Sequence, residues 1–238
     1  MVFQAPEPYS AYASGESLAE RAYALLRSDI IRGIRPPGER LRIEKLKTIY
    51  GIGPTPIREA LQKLSAEHLV QTFENRGFAV APLDLSDFSD LNFARAEIEN
   101  VALRRSIALG GSAWEGGVVA ASYVMAKAEK RLESSARGAD DEWEQANADF
   151  HTAMVAACDS KWLLMTRRRL QDMCERYRRA SLHSETGHRV TAAEHQAIAD
   201  AVLKRDSVLA CELTQSHFMT TLDILVSRSD KKKAANPS

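Results

Sequence analysis

Cysteine is scarce. Three residues (Cys158, Cys174, Cys211) in a chain of 238, none in CxxC spacing, provide neither a disulfide framework nor a thiolate zinc set, and they read as buried or incidental thiols in a reducing cytoplasm. No apolar run is long enough to span a membrane, and the N-terminus lacks the charged-then-apolar layout of a signal peptide, so a cytoplasmic location is expected. There is no net charge either: 32 Lys and Arg balance 32 Asp and Glu, which excludes a uniformly basic coat. HExxH, a nucleophile elbow, a phosphate loop and a paired general-acid motif are all missing, so no catalytic residue is assigned. The strand pattern never exceeds one short hairpin, which argues against a Rossmann or barrel domain, and no internal repeat is visible.

Present instead is a dense set of signals between residues 38 and 82. The apolar run Ile43, Leu46, Ile49, Tyr50 stops at Gly51, the residue type that ends a helix in the left-handed conformation. Pro54-Thr55-Pro56 follows, with Thr55 as the expected N-cap and Pro56 at the first helical position. Ile57, Leu61 and Leu64 then form one buried stripe, while Arg58 and Gln62 fall on another face. Val70, Thr72, Phe78 and Val80 alternate about Glu74-Asn75-Arg76-Gly77, a strand–turn–strand pattern with glycine where positive φ is needed. Upstream, Ser17 and Glu20 make a capping box for a helix with the stripe Ala22, Leu25, Leu26 and Ile30, ending at Gly33 and Pro36-Pro37.

Helix, helix, recognition helix and wing make a winged helix-turn-helix over 17–83. Such a unit reads bases in double-stranded DNA with the N-terminal end of its recognition helix. Thr55 and Arg58 stand at that end, and Arg58 has the fork that fits a guanine edge. Arg76 is the expected wing-tip contact. Residues 17–83 hold 11 basic against 7 acidic side chains, a modest excess suited to phosphate attraction, whereas 84–238 hold 21 against 23. On the turn alone, a helical hairpin in an ordinary core with a surface arginine is an equal alternative; the hairpin favours DNA.

The segment PGERL…TPIREALQKLSAEHLV…ENRGFAVAPL resembles the DNA-binding domain of GntR-type bacterial transcription regulators. That resemblance implies DNA roles for Thr55 and Arg58, with Gln62 on the same helix. Two departures stand out: Pro54 replaces the arginine usual before the TP step, and Glu44 replaces an arginine of the preceding helix, leaving Lys45 or Arg42 as substitutes.

The remainder, 84–229, reads as six helices with short connections, an all-α antiparallel bundle. Ser112 with Glu115 and Thr191 with Glu194 are further capping boxes, and the last helix is expected to end near Arg228. Residues 1–16 look like a flexible leader, and 230–238, with Lys231-Lys232-Lys233, like a disordered basic tail. The fold class is therefore mainly α, a small β-hairpin wing being the exception.

Three histidines lie on three helices of the bundle: His151 one turn after Asn147, His195 beside Ile198 and Val202, and His217 one turn after Leu213. Neutral imidazoles converging in a core suit a divalent metal such as Zn²⁺ or Ni²⁺, with Asn147 supplying an oxygen. Each histidine taken alone reads more simply as a hydrogen-bonded core or surface residue. The bundle, however, resembles the FCD-type effector domain of the FadR branch of GntR regulators, which implies a metal held by an Asp and three His, with Asn147 here in place of the Asp. It further implies a small carboxylic-acid effector near the metal, with Arg95 as its partner; an i,i+4 surface salt bridge to Glu99 is the other reading of Arg95. Arg176 and Tyr177 are further effector-binding candidates, and the run Arg167-Arg168-Arg169 is expected to be mostly solvated or dimer-facing. GIGPTPIREAL, RGFAVAPL and Trp114-Glu115 are similar to the branch that senses five-carbon dicarboxylates such as glutarate. The expectation is a homodimeric, effector-controlled regulator, a repressor, at a palindromic operator. A metal-dependent enzyme and a non-specific architectural DNA-binding protein are the alternatives.

Overall fold

The computed structural model describes residues 17–73, 77–133, 141–182 and 191–235. Among them the chain divides into two compact units: one reaches to Pro82 without Ile31–Gly33, and the other takes those three residues and the chain from Leu83. Arg76, the 1–16 leader and the last three residues lie outside the described residues.

In the first unit, α1 (Leu18–Ile31) opens on the expected capping box: the Glu20 amide donates to Ser17 Oγ at 3.2 Å and the Ser17 amide to Glu20 Oε2 at 3.0 Å. A two-residue strand, β1 (Arg40–Leu41), precedes α2 (Ile43–Tyr50) and α3 (Pro54–Ala66). β2 (Val70–Phe73) and β3 (Gly77–Val80) follow. Gly51 closes α2 in the left-handed region at φ 65°. Ile57, Leu61 and Leu64 are fully buried with Ala22 and Leu26, which fixes the rotation of α3 about its axis. Of the α2 run only Leu46 is buried; Ile49 is 45% exposed. Tyr50 lies half in, its hydroxyl donating to Asp29 Oδ2 at 2.6 Å and so tying α2 to α1.

Two local expectations change. α3 starts at Pro54 with Gly53 as N-cap, so Thr55 is already inside the first turn; Pro54, with φ pre-set and no N–H to satisfy, occupies N1 as well as Pro56 would. The wing is a three-stranded antiparallel sheet of order β1-β3-β2, not a two-stranded hairpin. Val70 pairs with Val80 and Thr72 with Phe78, and Gly77 takes φ +86°. β1 pairs Arg40 with Ala79 and Leu41 with Phe78.

The second unit holds α4 (Leu85–Leu109), α5 (Ser112–Glu133), α6 (Asp141–Val155), α7 (Lys161–Leu182), α8 (Ala192–Leu203) and α9 (Ser207–Ala235). The six helices of the described bundle match the number expected. α4 packs on α6, α7 and α9, while α5 packs on α6 and α8. The main core gathers Leu103, Trp114, Val118, Met125, Phe150, Met154, Ile198 and Val202. A smaller cluster of Phe88, Cys174, Tyr177 and Leu222 joins α4, α7 and α9, with the Phe88 and Tyr177 rings stacked at 4.5 Å. All three cysteines are buried free thiols. α9 runs on to Ala235 rather than ending near Arg228: no Gly or Pro interrupts it, and lysine and alanine favour helix. No described helix is long and apolar enough to cross a membrane.

Candidate functional site

On the first unit, Thr55, Arg58, Gln62, Lys45 and Arg42 are all exposed. A groove between α3 and the ribbon is lined by Arg40, Arg42, Glu44, Arg58, Gln62 and Phe73. It brings Arg42, Arg58 and Gln62 onto one surface; Thr55 and Lys45 do not line it. Arg40 was not singled out from sequence. It is presented by β1, and a two-residue strand leaves too little alternation to detect. Glu44 stays on this face, its charge partly met by Lys47 at 3.8 Å.

The second site is inside the bundle. α6, α8 and α9 each bury one histidine: His151, His195 and His217 are 1%, 3% and 7% exposed. One ligating atom from each lies within 4.8 Å of the others, with ring centroids 4.6 to 5.7 Å apart. Asn147, one turn before His151 on α6, is buried as well. The Nε2 atoms of His151 and His195 are buried with no hydrogen-bond partner. An imidazole nitrogen left dry and unpaired is costly unless something binds there. Desolvation, then the charges of His217, Arg95, His195 and Arg167, hold His151 well below the usual histidine range, so its ring stays neutral and its lone pair free.

Two of these rings meet carboxylates through Nδ1. His195 Nδ1 lies 2.7 Å from Glu129 Oε1, and Glu129 also accepts from Thr191 Oγ1 at 2.5 Å. His217 Nδ1 lies 2.7 Å from Glu194 Oε2. These contacts overturn the third capping box. Thr191 is the N-cap of α8 but caps nothing with its side chain, because Thr191 and Glu194 both turn to the histidine cluster. The Ser112 box fails too: Ser112 is the first residue of α5, and Glu115 accepts from Arg205 at 2.6 Å.

Beside the cluster lies a set of buried charges. Arg95 is 3% exposed, with its guanidinium 3.8 Å from the Phe218 ring centroid. Phe218 is itself 5.3 Å from the His151 ring. Arg95 Nε and one terminal nitrogen have no acceptor, and desolvation lowers its pKa. Glu99 does not pair with it as an i,i+4 surface bridge; it is buried and accepts from Arg167 Nε at 2.7 Å. Arg167 is thus an inward member of the arginine run, while Arg168 and Arg169 are exposed as expected. Arg178 grips Glu144 through two nitrogens. Tyr177 and Arg176 are placed elsewhere: the Tyr177 hydroxyl donates to Asp87 at 2.8 Å within the smaller cluster, and Asp87 also reaches Arg176 electrostatically.

Comparison with known proteins bears on both units. Residues 18–80 match the pattern of "Bacterial regulatory proteins, gntR family", and residues 90–220 match the FCD domain. The chain is 38% identical over 207 residues to the HTH-type transcriptional repressor GlaR of Escherichia coli K12, covering 85% of this chain and 93% of that protein. It is 37% identical over 213 residues to the HTH-type transcriptional regulator BphR of Paraburkholderia xenovorans, covering 90% of this chain and 87% of that one. Among solved structures, a GntR transcriptional regulator from Rhodococcus sp. RHA1 superposes with a TM-score of 0.72 at 21% identity, over 89% of this chain and 99% of the other, which supports the fold.

Proposed function

The chain belongs to the gntR family of bacterial transcriptional regulators and carries an FCD domain, and on that premise we propose that it is a repressor released by a small carboxylic acid bound at a metal ion in the bundle. The observation that carries the reading is the pairing of two unpartnered Nε2 atoms with a buried guanidinium two of whose nitrogens lack an acceptor, bridged by Phe218. His151, His195 and His217, with Asn147, would hold a divalent cation such as Zn²⁺ or Ni²⁺; the all-nitrogen-and-oxygen donor set suits either. Bound there, the cation supplies a Lewis-acidic anchor for a carboxylate. Arg95 would take the acid's other oxygens by charge-assisted hydrogen bonds, which satisfy donors now left bare. Arg176 and Tyr177 are weaker candidates, since Tyr177 already spends its hydroxyl on Asp87. The similarity to GlaR, itself named a repressor, favours repression.

On the DNA side, Arg58 and Gln62 would read bases, with Thr55, Arg42, Lys45 and the wing-tip Arg76 positioning the duplex. A homodimer would meet a palindromic operator with two such heads. Ligand would act by favouring one of two arrangements of the protein, and a coupling of about 1–3 kcal/mol changes operator occupancy roughly 5–150-fold. The test is operator binding in competition with random duplex at matched salt, with and without Zn²⁺ and a panel of mono- and dicarboxylic acids. A preference of several orders of magnitude for the operator, lost in Arg58→Ala and weakened by one acid, supports the reading. Equal affinity for random duplex would favour the architectural alternative. Turnover of an acid that vanishes in His195→Ala would favour the enzyme.

A further inference from the structure

We propose that Glu129 and Glu194 are positioning residues of the metal centre, each locking one histidine in the tautomer that aims Nε2 at the ion and together supplying the negative charge that Asn147 does not; this rests on the reading of the histidine cluster as a metal site. A carboxylate can only accept a hydrogen bond, so the 2.7 Å contacts at His195 Nδ1 and His217 Nδ1 place the ring proton on Nδ1. The lone pair is then on Nε2. For His195 that atom is buried and without a partner in the described structure, as a ligand in waiting requires. Glu129 is itself oriented by the Thr191 hydroxyl, so the ring of His195 is fixed through a two-step chain from α5 and the start of α8.

The charge count points the same way. Three neutral imidazoles and a neutral amide leave a dication uncompensated in a buried site, and burying an isolated charge is expensive. Two carboxylates one ring away offset the dication without entering the coordination shell, and the buried Arg95 leaves one positive charge beside it for a carboxylate ligand. Their weights differ: the Glu129 side chain is 5% exposed and that of Glu194 is 35% exposed, so water screens the second more. The chain gives up something for this arrangement. Thr191 and Glu194 have the capping-box spacing and yet leave the α8 N-terminus without its side-chain cap.

The experiment measures Zn²⁺ affinity of the full-length protein by competition with a chromophoric chelator, and the imidazole tautomers of the metal-free protein by ¹⁵N NMR. Glu129→Gln should weaken Zn²⁺ binding about 10–100-fold, the range typical of outer-shell partners, and Glu194→Gln by less. Glu129→Leu, which removes the acceptor, should move His195 out of the Nδ1–H form. Thr191→Val leaves the carboxylate in place but removes the hydroxyl that orients it, and should weaken Zn²⁺ binding by a few-fold; if the Glu129 variants fail to fold, wild-type affinity in both Thr191→Val and Glu194→Gln overturns the proposal. A folded Glu129→Gln protein with unchanged affinity overturns the proposal while leaving the metal reading intact. Absence of Zn²⁺ uptake by the wild type removes the metal reading itself. An Nε2–H tautomer at His195 in the wild type overturns the proposal whatever the affinities.

Discussion

Neutralising Glu99 should unsettle the bundle more than any surface charge change, and the size of the effect follows from its surroundings. Glu99 is 1% exposed and accepts from Arg167 Nε at 2.7 Å; Arg167 is 2% exposed, and its second terminal nitrogen already lacks an acceptor. Glu99 is also among the groups whose charge favours protonated Arg95. Glu99→Gln keeps the volume but turns an anion into an amide, leaving two guanidiniums in a dry interior without it. Breaking a buried pair from one side costs about 3–5 kcal/mol. For a unit of this size each kcal/mol lowers Tm by about 2–4 °C, so a fall of roughly 6–20 °C is expected. All three tryptophans, Trp114, Trp143 and Trp162, lie in the bundle, so their fluorescence in urea follows that unit selectively. The double variant Glu99→Gln/Arg167→Met should recover most of the loss, since replacing both partners with neutral groups of similar size leaves one fewer buried charge. A single-variant loss under about 1 kcal/mol, or a double variant no better than the single, would show that water reaches Arg167 and that the pair is not dry.

Two further outcomes are expected. In Gly110→Ala the new Cβ would stand 2.1 Å from a Trp114 ring carbon and 2.8 Å from the Ser106 carbonyl oxygen, so about 1–3 kcal/mol should be lost together with a shift in Trp114 emission; a wild-type melting curve would refute the packing argument. His151 has a folded-state pKa far below its unfolded value of 6.5, because burial disfavours its charged form. Its neutral form is therefore native-like above about pH 6.5, and metal-free stability should fall below that pH with a limiting slope of about 1.4 kcal/mol per unit as the unfolded chain takes the proton first. His151→Gln should flatten this part of the pH profile, and an unchanged slope would assign the acid sensitivity elsewhere.

Periodicity was informative wherever one principle acted alone. Ile57, Leu61 and Leu64 form the buried stripe, Gly51 and Gly77 take positive φ, and the Ser17–Glu20 box closes on itself, because each depends on neighbours within a few residues. Residues with two possible uses were misread. Thr191 and Glu194 have the spacing of a cap, but the Thr191 hydroxyl donates to Glu129 and Glu194 meets the buried His217 ring instead. Arg167 sits in a run of three that no single face can hold, and sequence could not show that Glu99, 68 positions away, waits for it. The three histidines were legible as a set through family resemblance and not through spacing, since they come from α6, α8 and α9. Their outer partners had no such signal: Glu129 lies on α5 with nothing in its neighbourhood to distinguish it from a solvated acid.

The two-residue strand β1 has a mechanical consequence. It holds the inner strand of the ribbon to the chain entering α2, and Gly38 and Val80 extend the clasp: the Gly38 amide donates to the Val80 carbonyl at 3.0 Å and the Val80 amide to the Glu39 carbonyl at 2.9 Å. β3 is thereby hydrogen-bonded along both borders, and a twisting load on the ribbon passes into the backbone ahead of the reading helices rather than dissipating in a loose arm. The spacing between ribbon and α3 is set before any duplex arrives, which spares association the entropy of ordering it.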